Sequence, residues 1–315
     1  MKIYHQLSEF KKLPHAVVTI GTFDGVHYGH QKIIKRLCEM ATASGGESVI
    51  LTFFPHPRMI IDPENQELKL INTIKEKADM LASLGVDHLI ITPFTRDFSN
   101  MSASAYIKNI LIEKIGTRQI IVGYDHRFGK NRQGGMKELE EYSKIYGFGI
   151  EEIPEQDVND VAVSSTKIRK ALLEGNVLLA STYLGYHFSI NGPVIKGDKI
   201  GRTIGFPTAN IFVEETYKLI PGDGIYAVTV EMNADNSRLA TYKGMAYIGQ
   251  RPTINGMTRN IEVNIFDFNQ EIYGQHIKMN FLKFLRHDVK FTGLEALKVQ
   301  LHQDKLDTLR FFEQD

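Results

Sequence analysis

The first half of the chain alternates short apolar runs with longer stretches of helical periodicity. Between about residue 15 and about residue 155, the apolar runs are AVVTI, SVILTF, HLIIT, QIIVG and FGIEEI. They are rich in β-branched residues, and the stretches between them are long enough for crossover helices. The pattern predicts parallel strands joined by helices, that is, a doubly wound α/β domain.

One of these helices carries its own start and stop signals. Thr73 and Glu76 have the spacing of a capping box, and Gly85 closes the stretch KADMLASLG. The sequence therefore predicts a helix that begins after Thr73 and ends before Gly85.

The second half of the chain is typical of an all-β domain. Beyond about residue 184, the runs IYAVTVEM and LATYKGMAYIG flank the turn-rich NADNS and predict an antiparallel hairpin. The runs NIEVNIFDF and EIYGQHIKMNF, linked by Asn269 and Gln270, predict a second hairpin. A small domain of this kind normally closes as a barrel, which hides its edge strands. Four leucines at helical intervals predict an amphipathic C-terminal helix that packs against the barrel: Leu294, Leu297, Leu301 and Leu309.

Length and charge narrow the class of protein. A chain of 315 residues with 43% hydrophobic content exceeds what one core usually serves, so we expect two domains. The 37 basic and 37 acidic residues give a net charge of zero, which argues against a nucleic-acid or acidic-membrane partner. Cys38 is the single cysteine, so an intrachain disulfide and a cysteine-built metal site are excluded. The oligomeric state stays open.

The segment MKIYHQLSEF lacks the apolar core of a signal peptide. The apolar runs elsewhere are too short to span a bilayer. We therefore expect a soluble, cytoplasmic protein.

The segment TIGTFDGVHYGHQKII passes from a strand through a glycine-containing turn into a helix. It places His27 and His30 on the first turn of the helix, at the carboxyl end of the strand, where such sheets bind ligands. Helix-start amides favour phosphate, Gly29 allows close approach, and the imidazoles can donate hydrogen bonds to phosphoryl oxygens. Nucleotidyl transfer needs placement and charge stabilisation more than a covalent nucleophile. An isolated pair of histidines more often caps a helix or fills a core, and no third ligand here suggests a metal site.

A second segment suited to phosphate is VSSTKIRKALLEGN. It places Ser164, Ser165 and Thr166 at a helix start, with Lys167 and Arg169 on the first turns. Taken alone, such a run is most often ordinary helix capping.

In the barrel half, GDKIGRTIGFPTANI combines a glycine-spaced loop with a turn fixed by Pro207. Thr208 and Asn210 are two residues apart along a strand and so face the same side, and their oxygens suit Mg²⁺ on a nucleotide. Taken alone, glycines at this spacing more often simply make turns, which applies to Gly197, Gly201 and Gly205.

Several motifs together resemble the prokaryotic bifunctional riboflavin kinase/FAD synthetase family over nearly the whole chain. FDGVHYGH resembles the HxGH signature of nucleotidyltransferases, GTFDGVH resembles that of their flavin-adenylating members, and SSTKIR follows in the expected order. The resemblance implies an FMN adenylyltransferase in residues 1–183, with His27, His30 and Arg169 as catalytic residues. It implies that seven residues bind nucleotide and phosphate: Gly21, Phe23, Asp24, Gly29, Ser164, Ser165 and Thr166.

TFFPHPR and VGYDHRFGKNRQGG resemble the family motifs that line the flavin and adenine pockets. They imply flavin-binding roles for five residues: His56, Pro57, Asp125, Arg127 and Phe128. The family usually has an aromatic residue at the position of His126.

GDKIGRTIGFPTANI resembles the riboflavin kinase signature and implies a kinase in residues 184–315. Glu262 then corresponds to the glutamate that deprotonates the ribityl 5′-hydroxyl. Strand alternation places it opposite the aliphatic side chains of NIEVNIFDF, although an exposed strand glutamate is usually only solvated. The implied nucleotide-binding residues are Gly201, Gly205, Pro207, Thr208 and Asn210, of which Thr208 and Asn210 also bind Mg²⁺. The implied flavin-binding residues are Arg251, Arg286 and Asp288. Asn264 and Asp288 stand where the family commonly has histidine and glutamate.

The implied activity is conversion of riboflavin to FMN and of FMN to FAD and pyrophosphate, with ATP and Mg²⁺ at both sites. Riboflavin, FMN, FAD, ATP and ADP are the implied ligands. Two alternatives remain: a chain with one working site, which the substitutions at His126 and Asn264 leave open although neither removes a predicted catalytic group, and a flavin-binding regulator without turnover. The zero net charge argues against an RNA-binding regulator, and a pure sensor needs neither a base nor metal ligands.

Overall fold

The computed structural model describes residues 1–62, 68–154, 163–197, 199–233, 239–253 and 256–314, without the side chains of residues 200, 251–253 and 256–258. Contacts divide the chain into two compact units, Met1–Ser165 and Thr166–Asp315. The two domains expected from length are present. The boundary predicted between residues 183 and 184 stays a prediction.

The first unit is built on a parallel sheet, as predicted. Its strands follow the order β1-β4-β3-β2-β5-β6. They are β1 Lys2–Tyr4, β2 Ala16–Ile20, β3 Glu47–Phe53, β4 His88–Thr92, β5 Thr117–Gly123 and β6 Gly149–Ile153. The five apolar runs named above correspond to β2 to β6, with β3 and β5 starting one and two residues earlier than their runs, whereas the short edge strand β1 was not predicted. The helices are α1 Tyr28–Ser44, α2 Pro57–Ile61, α3 Ile74–Ser83, α4 Arg96–Ser99, α5 Ala103–Ala105 and α6 Met136–Tyr146, with a π-helical segment Tyr106–Ile115.

Both faces of this sheet are covered by helices. Along β2, Val18 joins one core cluster with Leu111 of the π-helical segment. Its neighbour Val17 joins the opposite cluster with Leu37 of α1 and Leu81 of α3. A strand buried on both faces needs apolar residues on both, which is why AVVTI of β2, buried throughout, is nearly continuous in apolar residues.

Helix α3 begins and ends where the sequence predicts. The Thr73 hydroxyl accepts from the Glu76 amide at 3.1 Å, and the Glu76 carboxylate accepts from the Thr73 amide at 2.8 Å. Gly85 has φ of 88°, the left-handed conformation that follows many helix ends.

The strand order indicates where this sheet can bind ligands. From β2, the chain passes first to β3 and β4 on one side and later to β5 and β6 on the other. The carboxyl end of β2 is therefore the topological switch point, at which doubly wound sheets bind ligands.

The second unit contains a closed antiparallel barrel with strand order β10-β11-β8-β7-β12-β9. Its strands are β7 Ser189–Ile195, β8 Ala209–Ile211, β9 Gly224–Asn233, β10 Leu239–Thr253, β11 Gly256–Ile265 and β12 His276–Arg286. Its helices are α7 Ser165–Leu173, α8 Val177–Leu184, α9 Ile200–Thr203 and α10 Leu294–Gln314. Helix α7 begins at the last residue of the first unit.

The barrel and the hairpin of β9 with β10 are confirmed, but the second predicted hairpin is wrong. β11 pairs with β10 and β8, and β12 pairs with β7 and β9. The sequence between β11 and β12 is a long connection, and closure of the barrel requires β12 between β7 and β9. Adjacency in sequence therefore does not decide this pairing.

The predicted C-terminal helix, α10, packs on the barrel. Leu301 and Leu309 lie against a small cluster formed by Phe206, Met245 and Phe266. Leu294, at the start of the helix, is exposed.

In the parts of the chain that the structure describes, no helix combines the length and apolar character of a membrane span.

Candidate active sites

The turn from β2 to α1 has an unusual backbone. Phe23, Gly25 and Val26 have φ of 45°, 85° and 35°. A β-branched residue such as Val26 rarely adopts positive φ, and such strain persists only where surrounding contacts impose it. The strain lies directly before the two histidines of the HxGH segment.

His27 and His30 form one stacked pair at the start of α1. Their ring centroids are 3.6 Å apart, and Nδ1 of His27 accepts from the His30 amide at 3.4 Å. His27 is 5% exposed, and burial lowers its pKa to about 4. The pKa of His30 lies well below its ordinary value because of burial, then of His27 and of Lys77. Both rings are therefore neutral near pH 7, and His27 carries its proton on Nε2 as a hydrogen-bond donor.

The strained turn is held from several sides. The buried Asp24 carboxylate accepts from the amides of Ile71 and Asn72 at 3.0 and 3.5 Å. The Asp24 carbonyl oxygen accepts from the Ser165 hydroxyl at 2.9 Å. The structure therefore brings Ser165 of the second phosphate segment to the HxGH turn.

Other residues predicted around this turn are also placed there. Gly21 lies against Phe23, because a Cβ on Gly21 would come within 3.0 Å of the Phe23 ring. Gly29 is buried on the first turn of α1.

Lys77 also contacts the turn, and the sequence did not single it out. It lies on α3, is 3% exposed, and donates from Nζ to the Thr22 carbonyl oxygen at 2.6 Å. One signal was available: Lys77 occupies the same helical stripe as Ile74, Ala78 and Leu81, where an apolar residue is expected.

The other predicted phosphate-binding residues of the SSTKIR segment lie just before α7 and on its first turns. Ser164 is half-buried just before α7, Thr166 is exposed on its first turn, and Arg169 is half-buried one turn later. By contacts, Thr166 and Arg169 belong to the second unit. Their roles in phosphate binding stay predictions.

The two predicted flavin segments leave the same edge of the sheet as the histidines. His56 follows β3 and caps α2 by accepting from the Arg58 amide at 3.2 Å, and Pro57 is the first residue of that helix. The segment with Asp125 and Arg127, both exposed, follows β5. Because β3 and β5 flank β2 in a parallel sheet, all three segments start at one edge.

Phe128 belongs to an aromatic cluster at this edge. Its ring lies 5.4 Å from that of Tyr106 and 5.7 Å from that of His126, which is stacked on it. Burial is the main reason that the pKa of His126 is lowered to about 4. His126 therefore packs as a neutral ring, as the usual aromatic residue would.

The second site is a cavity of about 280 Å³ in the barrel unit. Glu262 lies in its wall and is half-buried. The Thr208 hydroxyl donates to its Oε2 at 2.7 Å, and the Asn260 side-chain amide donates to its Oε1. Asn210 pairs with Glu262 across β8 and β11, so the two side chains point to the same side of the barrel. The apolar part of the wall includes Phe206, Met245, Phe291, Leu297 and Leu301.

The loop before β8 is shaped by glycine and by Asn264. A Cβ on Gly201 would collide with the Phe206 carbonyl oxygen, and Gly205 has φ of 85°. The Asn264 side-chain amide donates to the Pro207 carbonyl oxygen at 2.6 Å. Asn264, which replaces the usual histidine, thus holds the turn that leads to Thr208.

Arg286 and Asp288 both line this cavity, and their flavin-binding role stays a prediction. Arg286 donates from Nε and Nη2 to the two carboxylate oxygens of Asp304, at 2.8 and 2.7 Å. Asp288 accepts from the Tyr247 hydroxyl at 2.9 Å. Burial, then Asp288, raises the pKa of Tyr247 to about 12, so it remains a donor. The Arg251 side chain lies outside the described residues.

Three of these partners were missed by sequence reasoning: Asn260, Tyr247 and Asp304. From the sequence, Asp304 of α10 would be expected to be a solvated helix residue, but in the structure it is only 2% exposed. Asp304 pairs with Arg286 of β12, and no local pattern in the sequence indicates this pairing.

Two protein-family models match this chain, one in each half. Residues 9–167 match the family described as FAD synthetase, and residues 184–312 match the family described as riboflavin kinase. A bifunctional riboflavin kinase/FMN adenylyltransferase from Listeria monocytogenes is 39% identical, over 94% of this chain and 92% of the relative. One from Escherichia coli K12 is 34% identical, over 99% and 98%.

A crystal structure described as a macrolide-efflux protein from Streptococcus pneumoniae has the same fold. Its TM-score is 0.87, with 31% identity and coverage of 98% of each chain. The two family matches and the full-length relatives lead to one conclusion: the chain belongs to the bifunctional riboflavin kinase/FMN adenylyltransferase family.

Proposed function

We infer that the barrel unit transfers the γ-phosphoryl group of ATP to riboflavin, and that the sheet unit transfers the adenylyl group of ATP to the resulting FMN. The products are FMN with ADP, and FAD with pyrophosphate. The observation that carries this function is Glu262, held by two donors in the wall of an apolar cavity. The family to which the chain belongs supports both activities.

In the kinase site, the flavin ring occupies the apolar part of the cavity beside Phe206, Met245 and Leu301. Glu262 accepts the proton of the ribityl 5′-hydroxyl, whose oxygen attacks the γ-phosphorus while ADP leaves. The hydrogen bonds from Thr208 and Asn260 hold the carboxylate in one orientation, which reduces the cost of reaching the reactive geometry. Arg286 and Asp288 border the ring, and Gly201, Gly205 and Pro207 shape the nucleotide loop.

The donor set beside Glu262 fits a magnesium ion. Thr208 and Asn210 supply a hydroxyl and a side-chain carbonyl oxygen, and Glu262 adds a carboxylate on the same side. Mg²⁺ prefers oxygen ligands and usually retains waters and nucleotide phosphates in its shell. Thr208 and Asn210 would hold the ion, which when bound offsets the negative charge of the phosphates. The Thr208 hydroxyl donates to Glu262 and keeps its oxygen lone pairs for the cation.

In the adenylyl-transfer site, a phosphate oxygen of FMN attacks the α-phosphorus of ATP and pyrophosphate leaves. The FMN phosphate is ionised near pH 7, so this site needs no strong base. The neutral imidazoles of His27 and His30 and the start of α1 donate hydrogen bonds to the phosphates. Ser164, Ser165, Thr166 and Arg169 complete the phosphate-binding set. Flavin lies against the segments that carry His56, Pro57, Asp125, Arg127 and Phe128.

The zero net charge argues against a nucleic-acid or membrane partner, and the ligands that we propose are small molecules. The cytoplasmic location stays a prediction. Mg²⁺ is the metal that we propose for both sites.

One pair of incubations tests this function. The purified chain is incubated with ATP and Mg²⁺ and either riboflavin or FMN, and the flavins are separated by chromatography. FAD from both incubations is the expected result. FMN alone would mean that only the kinase works, FAD from FMN alone would mean a lone adenylyltransferase, and no product would favour a flavin-binding protein without turnover.

A further inference from the structure

A lysine ammonium is buried beside the HxGH turn. Lys77 is 3% exposed, and Nζ donates to the Thr22 carbonyl oxygen at 2.6 Å. In the parts of the chain that the structure describes, this is its one hydrogen-bond acceptor. An ammonium buried in this way costs free energy unless its charge or its donors are used. The hydrogen bond to the Thr22 carbonyl uses one N–H group of the ammonium. The other two N–H groups, and most of the cost of burying the charge, are not accounted for by it.

The position of Lys77 connects it to the strained turn. Thr22 precedes Phe23, the first residue of positive φ, and its carbonyl oxygen also accepts from the Thr52 hydroxyl at 3.3 Å. The loop just before α3 holds the next residue, Asp24, through the amides of Ile71 and Asn72. Helix α3 and the loop before it therefore hold Thr22 and Asp24, the residues on either side of Phe23.

The charge of Lys77 also reaches the histidine pair. It contributes to the lowered pKa of His30, and the Asp24 carboxylate is the opposite charge that acts on Lys77. Among the described residues, these two groups, from α1 and from the turn, are the titratable groups that interact with the ammonium. Burial outweighs Asp24 and lowers the pKa of Lys77 to about 8.

We infer that Lys77 is a positioning residue for adenylyl transfer: it holds the Thr22 carbonyl so that the turn presents His27 and His30 to the ATP phosphates, and it places a buried positive charge beside them. This inference rests on the adenylyl-transfer function proposed above. It explains why a charge occupies the apolar stripe of α3. The positive charge of Lys77 attracts the negative polyphosphate. The attraction is stronger here than in water because protein surrounds the ammonium.

A purely structural lysine would behave differently as the pH rises. Above a pH of about 8 the ammonium loses its proton, but the neutral amine can still donate to Thr22. The hydrogen bond therefore survives while the charge is lost. A role that depends on charge predicts that kcat/KM for ATP in FAD formation from FMN falls above pH 8, since this parameter reports the free enzyme. In kcat the fall should move to higher pH, because bound ATP stabilises the ammonium.

Three variants of the full chain test the inference. Lys77→Arg keeps a positive charge beyond pH 12, so the fall near pH 8 should disappear. Lys77→Met removes charge and donor, and we expect kcat/KM below pH 8 to drop about a hundredfold and to become flat with pH. Lys75→Met is the matched control: it makes the same change on the same helix, where Lys75 is 82% exposed and pairs with Asp79. Riboflavin phosphorylation is measured in parallel, and thermal unfolding checks that each variant is folded.

The results separate this inference from the function on which it rests. A wild-type chain that makes no FAD from FMN removes the adenylyl-transfer function, and the inference with it. A wild-type chain that makes FAD without a fall near pH 8 overturns the inference alone, whatever the variants do. So does a fall that persists in Lys77→Arg, or a Lys77→Met chain that keeps the wild-type kcat/KM. If Lys77→Met unfolds, the pH profiles of the wild type and of Lys77→Arg decide.

Discussion

Replacement of Glu262 by glutamine removes the proposed base with little change in shape. In the structure, Thr208 donates to Oε2 and Asn260 donates to Oε1. A glutamine can place its oxygen toward Asn260 and its amide toward Thr208, because the Thr208 hydroxyl can rotate and accept. Both hydrogen bonds therefore survive in Glu262→Gln, and we expect the free energy of unfolding to change by less than about 1 kcal/mol.

The loss of activity should be much larger than the loss of stability. General-base catalysis contributes about 10²- to 10⁴-fold in rate. This corresponds to about 2.7 to 5.4 kcal/mol of transition-state stabilisation, at 1.36 kcal/mol for each factor of ten. Because the ground-state contacts are kept, the loss should appear in kcat for FMN formation, with KM for riboflavin nearly unchanged.

The assay measures FMN formation from riboflavin and FAD formation from supplied FMN on the same preparation. Glu262→Gln should lose the first and keep the second. Glu262→Ala, which leaves both donors without their acceptor, should lose the same activity and also some stability. A Glu262→Gln chain that phosphorylates riboflavin within about threefold of the wild-type kcat would show that Glu262 is not the base, since removal of a base costs at least about 10²-fold.

Three further changes test the remaining assignments. His30→Ala should abolish FAD formation from FMN and spare riboflavin phosphorylation; loss of both activities would contradict independent sites. Asn210→Ala should raise the Mg²⁺ and ATP concentrations needed for half-maximal FMN formation, and an unchanged dependence would remove Asn210 from the metal shell. Asp304→Ala leaves Arg286 without its buried partner, so we expect about 3 to 5 kcal/mol less stability in chemical unfolding and weaker binding of riboflavin; wild-type values for both would show that the pair does not support the cavity.

The sequence predicted those features whose signals are local or repeat along the chain. The five strand runs of the parallel sheet, the capping box at Thr73 and Glu76, and the C-terminal helix all follow from patterns within about twenty residues. Each site motif is likewise a single continuous segment, so HxGH and PTAN could be located before the fold was known.

Strand pairing in the barrel was predicted less well. The two runs on either side of Asn269 and Gln270 look like a hairpin, yet β12 pairs with β7 and β9 instead of β11. The alternation of apolar and polar positions shows which face of a strand is buried. It does not show which neighbour the strand takes, because backbone hydrogen bonds are the same for any partner.

By itself, the sequence determined the two architectures and the order of the phosphate-binding segments, because each follows from a contiguous pattern. Glu262 became the candidate base only through the family resemblance. Only the tertiary structure decided what surrounds these groups. The contacts from Lys77 to Thr22, from Ser165 to Asp24 and from Arg286 to Asp304 join residues 55, 141 and 18 positions apart. Such pairs have no period in the sequence. They exist because the packed sheet and the closed barrel bring distant side chains together and bury them, which is also what lowers the pKa of the histidines.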